Sequence, residues 1–251
     1  MQSVKNLHKP GYNFISVCEE SKRISTAGSD GYIKVIDNVQ CKNPQEIEDK
    51  IFIATESSSL SQNSVPDGLQ ESIPTKFTAA VNFVTLNDDK SKIAACSSDF
   101  TAKVIVKMDT SSSECIYKGH QGPILTVSFD PMDIFLATTS CDGSLKIWKL
   151  ESGNEVKSIS CLQKCSDKDL AVSRGRIAWQ PGQGKTIAVC CDKQINLYER
   201  NTWEFLRKFS SPSNDVFNDV LWDKKGESII ASTKDGQIIV FDANERKVIE
   251  K

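Results

Sequence analysis

The segment Gly119-His120-Gln121-Gly122-Pro123-Ile124-Leu125-Thr126-Val127-Ser128-Phe129, continuing Asp130-Pro131-Met132-Asp133-Ile134-Phe135-Leu136-Ala137-Thr138-Thr139-Ser140-Cys141-Asp142-Gly143-Ser144-Leu145-Lys146-Ile147-Trp148, decides the fold of this chain. Its apolar residues alternate, Val127 with Phe129 and Leu145 with Ile147, which is the period of strands that bury one face. An Asp sits in the turn between the later strands, where its side chain can accept backbone N–H groups.

Working outward, the same turn recurs at Ser29-Asp30-Gly31, Ser98-Asp99-Phe100, Cys191-Asp192-Lys193 and Lys234-Asp235-Gly236. Three positions after each Asp stand Ile33, Ala102, Leu145, Ile195 and Ile238; five after stand Val35, Val104, Ile147, Leu197 and Val240. Fifteen before come Ile15, Val84, Val127, Ile177 and Val220, and thirteen before come Val17, Leu86, Phe129, Trp179 and Trp222. A small-residue column, Thr26, Ala95, Thr138, Ala188 and Ala231, lies four before the Asp and would let neighbouring sheets approach closely. Each unit reads as strand, turn, strand, Asp turn, strand and a more polar outer strand. No segment carries a sustained helical period with caps. Units of about 40–45 residues with four strands each are propeller blades, so the expected fold is all-β.

The quoted segment resembles a WD-repeat blade, with only the final Asp of that name replaced, by Lys149. In WD repeats a His, a Ser or Thr, an Asp and a Trp form a buried hydrogen-bonded tetrad. The resemblance assigns these roles to His120, Ser140, Asp142 and Trp148, with Thr138 as the less favoured hydroxyl. A buried carboxylate and indole N–H need partners, and such a tetrad would supply them. His8 occupies the same column before Asp30, whereas Phe77, Leu170 and Ser213 stand there in other copies.

The match extends beyond a generic blade. Val65-Pro66-Asp67-Gly68, Ile93-Ala94-Ala95-Cys96-Ser97-Ser98-Asp99-Phe100, Pro131 to Ala137, Ser140 to Ser144, Leu162-Gln163-Lys164-Cys165 and Ile177-Ala178-Trp179-Gln180-Pro181 are similar to the N-terminal propeller of the WD-repeat and HMG-box DNA-binding family. That family comprises the chromosome transmission fidelity scaffolds of replication forks. The resemblance implies a seven-bladed first propeller, a second propeller that trimerises, and an HMG box. It implies no cofactor and no metal.

The chain departs from that pattern. Intervals between the turn Asp residues are 69, 43, 50 and 43 residues, so the first exceeds one repeat by 26. Lys50 to Thr55 reads as one surviving strand of a degenerate blade, and Ser57 to Ser64 as a polar linker within residues 40–70. Five full blades and this remnant are expected in one propeller domain spanning residues 1–251, an incomplete ring. The second propeller with its trimerisation region and the HMG box are expected to be absent, as in a fragment. Propellers remove sheet edges by closing the ring, so an incomplete one is expected to be weakly stable and aggregation-prone.

Composition excludes several classes. Net charge is −2 over 251 residues, against a nucleic-acid-coating or polybasic membrane protein. No stretch approaches the roughly 18 apolar residues of a membrane span, and no membrane association is expected. Nine cysteines, an odd number scattered through apolar columns, favour a reducing compartment over a disulfide framework. Cys161-x-x-x-Cys165 and Cys190-Cys191 lack zinc spacing and read as structural or loop cysteines. Gly182-Gln183-Gly184-Lys185-Thr186 mimics the tail of a phosphate-binding loop, but Trp179 fills its first Gly position and a strand follows, so a hairpin turn is expected. With two histidines, both in structural columns, a His-based catalytic site has almost no material, and no enzyme is expected.

Binding remains. Phe100 follows Asp99 where other copies carry Gly31, Gly143 and Gly236; exposed there, it would be an interface anchor, with Lys118 and Gln121 on the same expected face. Arg174 and Arg176 are candidate phosphate contacts. The resemblance attributes DNA binding mainly to the HMG box. It implies a nuclear scaffold linking the replicative helicase to DNA polymerase alpha, with roles in chromatin, cohesion and repair. The alternative is a substrate receptor of a cullin ubiquitin ligase. That class ends a blade in Trp-Asp-x-Arg, where this chain reads Trp148-Lys149-Leu150-Glu151.

Overall fold

The computed structural model describes residues 14–18, 23–27, 32–36, 69–74, 76–89, 91–107, 112–161, 175–244 and 248–250. Lys50 to Thr55, Ser57 to Ser64, His8, Asp30 and Arg174 lie outside them. Five four-stranded antiparallel sheets and no helix make up the described residues. The first sheet holds β1 (Phe14–Cys18), β2 (Arg23–Ala27), β3 (Tyr32–Ile36) and β4 (Leu69–Pro74). The second holds β5 (Val81–Leu86), β6 (Lys92–Ser97), β7 (Thr101–Lys107) and β8 (Ser112–Lys118); the third, β9 (Ile124–Phe129), β10 (Phe135–Ser140), β11 (Ser144–Lys149) and β12 (Glu155–Ser160). The fourth holds β13 (Ile177–Trp179), β14 (Thr186–Cys191), β15 (Gln194–Glu199) and β16 (Phe205–Ser210); the fifth, β17 (Phe217–Trp222), β18 (Ser228–Thr233), β19 (Ile238–Asp242) and β20 (Val248–Glu250).

Each sheet is a meander in chain order, the blade of a propeller. The first strands of consecutive blades pack on one another, β1 on β5, β5 on β9, β9 on β13 and β13 on β17, so they form the inner wall. Because β4 pairs with β3, the extra length before Asp99 falls inside the first blade, between its third and fourth strands.

Burial separates inner blades from the last. Along β10 and β14 adjacent residues are buried on both faces, so those strands have lost the simple alternation of a half-buried sheet. The small column explains this: Ala95, Thr138, Ala188 and Ala231 are all buried and let neighbouring blades close on one another. In the fifth blade alternation returns. Val220, Ile229, Ala231, Ile239 and Phe241 join Ala188, Cys190 and Leu197 of the fourth blade in one core. On the opposite face Leu221 and Ile238 are 60% and 64% exposed, an apolar surface of the kind that covers a neighbour in the inner blades.

Among the described residues the turns at Asp99, Asp142, Asp192 and Asp235 connect the second and third strands of their blades, and so cluster at one end of the sheets. This end is hereafter the Asp-turn face. Gly182 to Lys185 form the turn between β13 and β14, as the strand reading required.

Candidate functional site: the Asp-turn face

In the third blade the turn is held by a chain of polar groups. Trp148 Nε1 donates to Thr138 Oγ1 at 2.8 Å, and Thr138 Oγ1 lies 2.8 Å from His120 Nε2. His120 Nδ1 lies 2.8 Å from Asp142 Oδ2. One proton arrangement satisfies every link: indole N–H to the Thr oxygen, Thr O–H to Nε2, and Nδ1–H to the carboxylate. The rings of His120 and Tyr117 meet Trp148 edge-on, at 6.0 and 5.9 Å between centroids.

The hydroxyl in this chain is Thr138, not the expected Ser140. Both residues face the same way along β10, so strand period cannot separate them. Ser140 lies next to the turn, where it donates to Gly122 O at 2.9 Å and accepts from Asp142 N at 3.1 Å. A signal existed in sequence: the two copies with a His in its column, His8 and His120, are the two with Thr four before the Asp, Thr26 and Thr138. Copies without the His carry Ala there.

Asp142 collects further donors. Gln121 N donates to Oδ2 at 2.8 Å, and Ser144 N and Oγ donate to Oδ1 at 2.9 and 2.6 Å. Burial pushes this carboxyl up, but the bonds from His120, Ser144 and Gln121 outweigh it and hold it well below the usual carboxylate range. The second blade repeats the scheme without the His: Thr78 N, in the column of Gln121, donates to Asp99 Oδ2 at 3.0 Å, and Thr101 N to Oδ1 at 3.0 Å. Asp192 departs from it, itself taking a positive φ of 59°. At Asp235 the backbone N–H donates to Asp215, and Thr233 Oγ1 donates to the Asp235 carboxylate.

The turn geometry singles out Phe100. Gly143 and Gly236 have φ of 89° and 86°; in the same column Phe100 has φ of 70° and is 41% exposed. A side chain in that left-handed region is held at a cost of roughly 1–2 kcal/mol. Strained, exposed aromatics motivate a functional hypothesis. Thr101 pairs with Lys118 across β7 and β8, so Phe100 stands beside Lys118, and Gln121 follows at the neighbouring turn. Lys118 and Gln121 are both exposed. The structure thus brings Phe100, Lys118 and Gln121 together on one face.

It does not place Arg176 where a phosphate would meet it. Residues sixteen before the turn Asp, namely Phe83, Thr126, Arg176 and Asp219, share one level of the inner strands. The Arg176 guanidinium lies 4.5 Å from the centroid of the Phe83 ring, and its Nε lies 4.0 Å from Asp219 Oδ1. Its side chain is 12% exposed. Charge alone suggested a phosphate contact; position in the inner wall engages the side chain with Phe83 and Asp219 instead.

With this geometry in place the chain can be set beside known proteins. Residues 5–251 match the family described as WDHD1 first WD40 domain. The chain belongs to that family. It is 34% identical to WD repeat and HMG-box DNA-binding protein 1 of Homo sapiens, over 97% of this chain and 23% of the human protein. The Xenopus laevis protein of that name is 32% identical over the same shares. Minichromosome loss protein 1 of Schizosaccharomyces pombe is 20% identical over 96% of this chain and 31% of its own length. The chain therefore spans about a quarter of the length of the human and frog relatives.

Membership makes this a WD-repeat scaffold protein, a class whose propellers mediate protein interactions. In that frame the Thr138 network is the blade's internal brace, and the exposed residues beside it are the face it presents. Among the described residues no group of three or more His, Cys, Asp or Glu could hold a metal ion, and no helix is long and apolar enough to cross a membrane.

Proposed function

We propose that this chain is a protein-interaction module of a nuclear replication-fork scaffold, joining the replicative helicase to DNA polymerase alpha and acting in chromatin, cohesion and DNA repair. It works by binding, without catalysis. Residues 1–251 act as one WD-repeat propeller domain. The observation that carries the reading is Phe100, an aromatic side chain kept exposed on a left-handed turn beside Lys118 and Gln121. Family membership supplies the setting: relatives are named for HMG-box DNA binding and for minichromosome loss. DNA contact would fall mainly to an HMG box, since Arg176 is engaged in the inner wall.

Pull-down from nuclear extract tests it, with helicase and polymerase alpha subunits scored against cullin adaptors. Retention of helicase or polymerase subunits supports the scaffold. Recovery of cullin adaptors alone would replace it with a ubiquitin-ligase substrate receptor.

A further inference from the structure

Cys190 and Cys191 are adjacent in sequence but belong to different surroundings. Strand alternation on β14 sends Cys190 into the core shared with the fifth blade and turns Cys191 the other way, toward the third. There it meets Cys161, which follows β12. Both side chains pack against the same apolar cluster of Leu145, Ile147, Val189 and Tyr198, and the Cys191 thiol donates to Val189 O at 3.6 Å. Cys161 is tied to the third blade's Asp turn by its N–H, 3.2 Å from Gly143 O.

Cys161 and Cys191 both line a cavity of about 540 Å³ on the Asp-turn face, together with Lys193, Asn196, Ser211 and Asn214. Asn196 Nδ2 donates to Cys191 Sγ at 3.4 Å and to Tyr198 Oη at 3.3 Å. Its buried Oδ1 has no hydrogen-bond partner among the described residues.

We propose that Cys161 and Cys191 form a peroxide-responsive dithiol that closes reversibly into a disulfide across the seam between the third and fourth blades. The roles differ. The neighbouring Cys191 thiol favours the Cys161 thiolate, while the presence of Cys161 and burial keep the proton on Cys191. The Cys161 sulfur attacks one peroxide oxygen and the O–O bond breaks. The departing oxygen takes a proton and leaves as water, and Cys161 becomes a sulfenic acid. Cys191 then attacks the Cys161 sulfur, an S–S bond forms, the S–O bond breaks, and the hydroxyl leaves as a second water with the Cys191 proton. Two thiols are oxidised and one peroxide is reduced to two waters; a thiol reductant reverses the step. Transient bonds of this kind suit a compartment that otherwise keeps thiols reduced. Closure would fix the seam within the face that carries Phe100, Lys118 and Gln121.

The test treats the folded chain with one equivalent of hydrogen peroxide, alkylates with iodoacetamide and maps the peptides by mass. A Cys161–Cys191 linked peptide, with both residues lost as alkylation sites and restored by dithiothreitol, is the expected result. Cys191→Ser should leave Cys161 as a sulfenic acid that dimedone traps. Phenylarsine oxide, which needs two close thiols, should bind one equivalent to the wild-type chain and none to Cys161→Ser. Full alkylation of both residues after peroxide, a link from Cys161 to Cys165 instead, or arsenical uptake unchanged in the serine variant would overturn the proposal.

Discussion

Arg200 of the fourth blade grips Asp130 of the third, Nε at 3.0 Å from Oδ1 and Nη2 at 2.5 Å from Oδ2, with the Asp130 side chain wholly buried. The guanidinium also lies 5.1 Å from the Phe135 ring centroid. This fork-to-fork pair closes the seam at the end of the sheets opposite the Asp turns, through the Asp130-Pro131 turn after β9. A planar guanidinium suits that geometry in a way an ammonium does not.

Removing one partner of that pair leaves a buried charge without compensation. Arg200→Ala is expected to destabilise the chain by about 3–5 kcal/mol. Asp130→Asn combined with Arg200→Met should recover much of the loss, because no buried charge then remains unpaired. Urea unfolding of Arg200→Met, Asp130→Asn and the double variant measures the coupling, and simple additivity would remove the pair from the account.

The third-blade network makes a ranking. Thr138→Ala strands both the Trp148 N–H and His120 Nε2 and should destabilise by about 2–6 kcal/mol, at about 1–3 kcal/mol for each buried group left unpaired. Thr138→Ser keeps the hydroxyl and should lose far less. Ser140→Ala removes only the bonds beside the turn, about 1 kcal/mol. Thermal melting of the three variants checks the order; a larger effect at Ser140 than at Thr138 would return the tetrad to the expected residue.

Acid should weaken this blade through Asp142. Its carboxyl is held below the ordinary range in the folded chain, so its contribution is complete above the unfolded value of about 3.9 and fades as pH falls below that, toward its folded value. Asp142→Asn should therefore be less stable than the wild type at neutral pH. The gap should narrow as pH drops below about 4, where the carboxyl of the unfolded wild-type chain begins to bind a proton that the folded chain does not. A gap constant between neutral and acid pH would deny the carboxylate its role.

The repeat was legible because two rules act together. Period two marks strands, and alignment of four apolar columns on an Asp turn fixes their register within each blade. Phe100 could be singled out because its column otherwise favours glycine, and only a left-handed turn explains that. What escaped was set by packing between blades. Thr138 and Ser140 share a strand face, so alternation could not choose between them. Arg176 carries the same charge in a loop or an inner wall, and its column sixteen before the Asp held the answer. Cys161 and Cys191 meet only because the third and fourth sheets stack, a contact with no local signature. The reading of Lys50 to Thr55 as a surviving strand lies outside the described residues.

The central claim is that the Asp-turn face presents Phe100 to a protein partner, and Phe100→Gly tests it most directly. Glycine relieves the left-handed strain but frees the unfolded chain, so stability should hold or rise by up to about 1 kcal/mol. The measurement is retention of helicase and polymerase alpha subunits from nuclear extract by wild-type and variant chains, with melting followed in parallel. The account predicts a melting temperature unchanged or raised and retention reduced about tenfold or more, the loss of an anchor contributing over about 1.4 kcal/mol. Equal retention by the two chains, with equal melting, would contradict it.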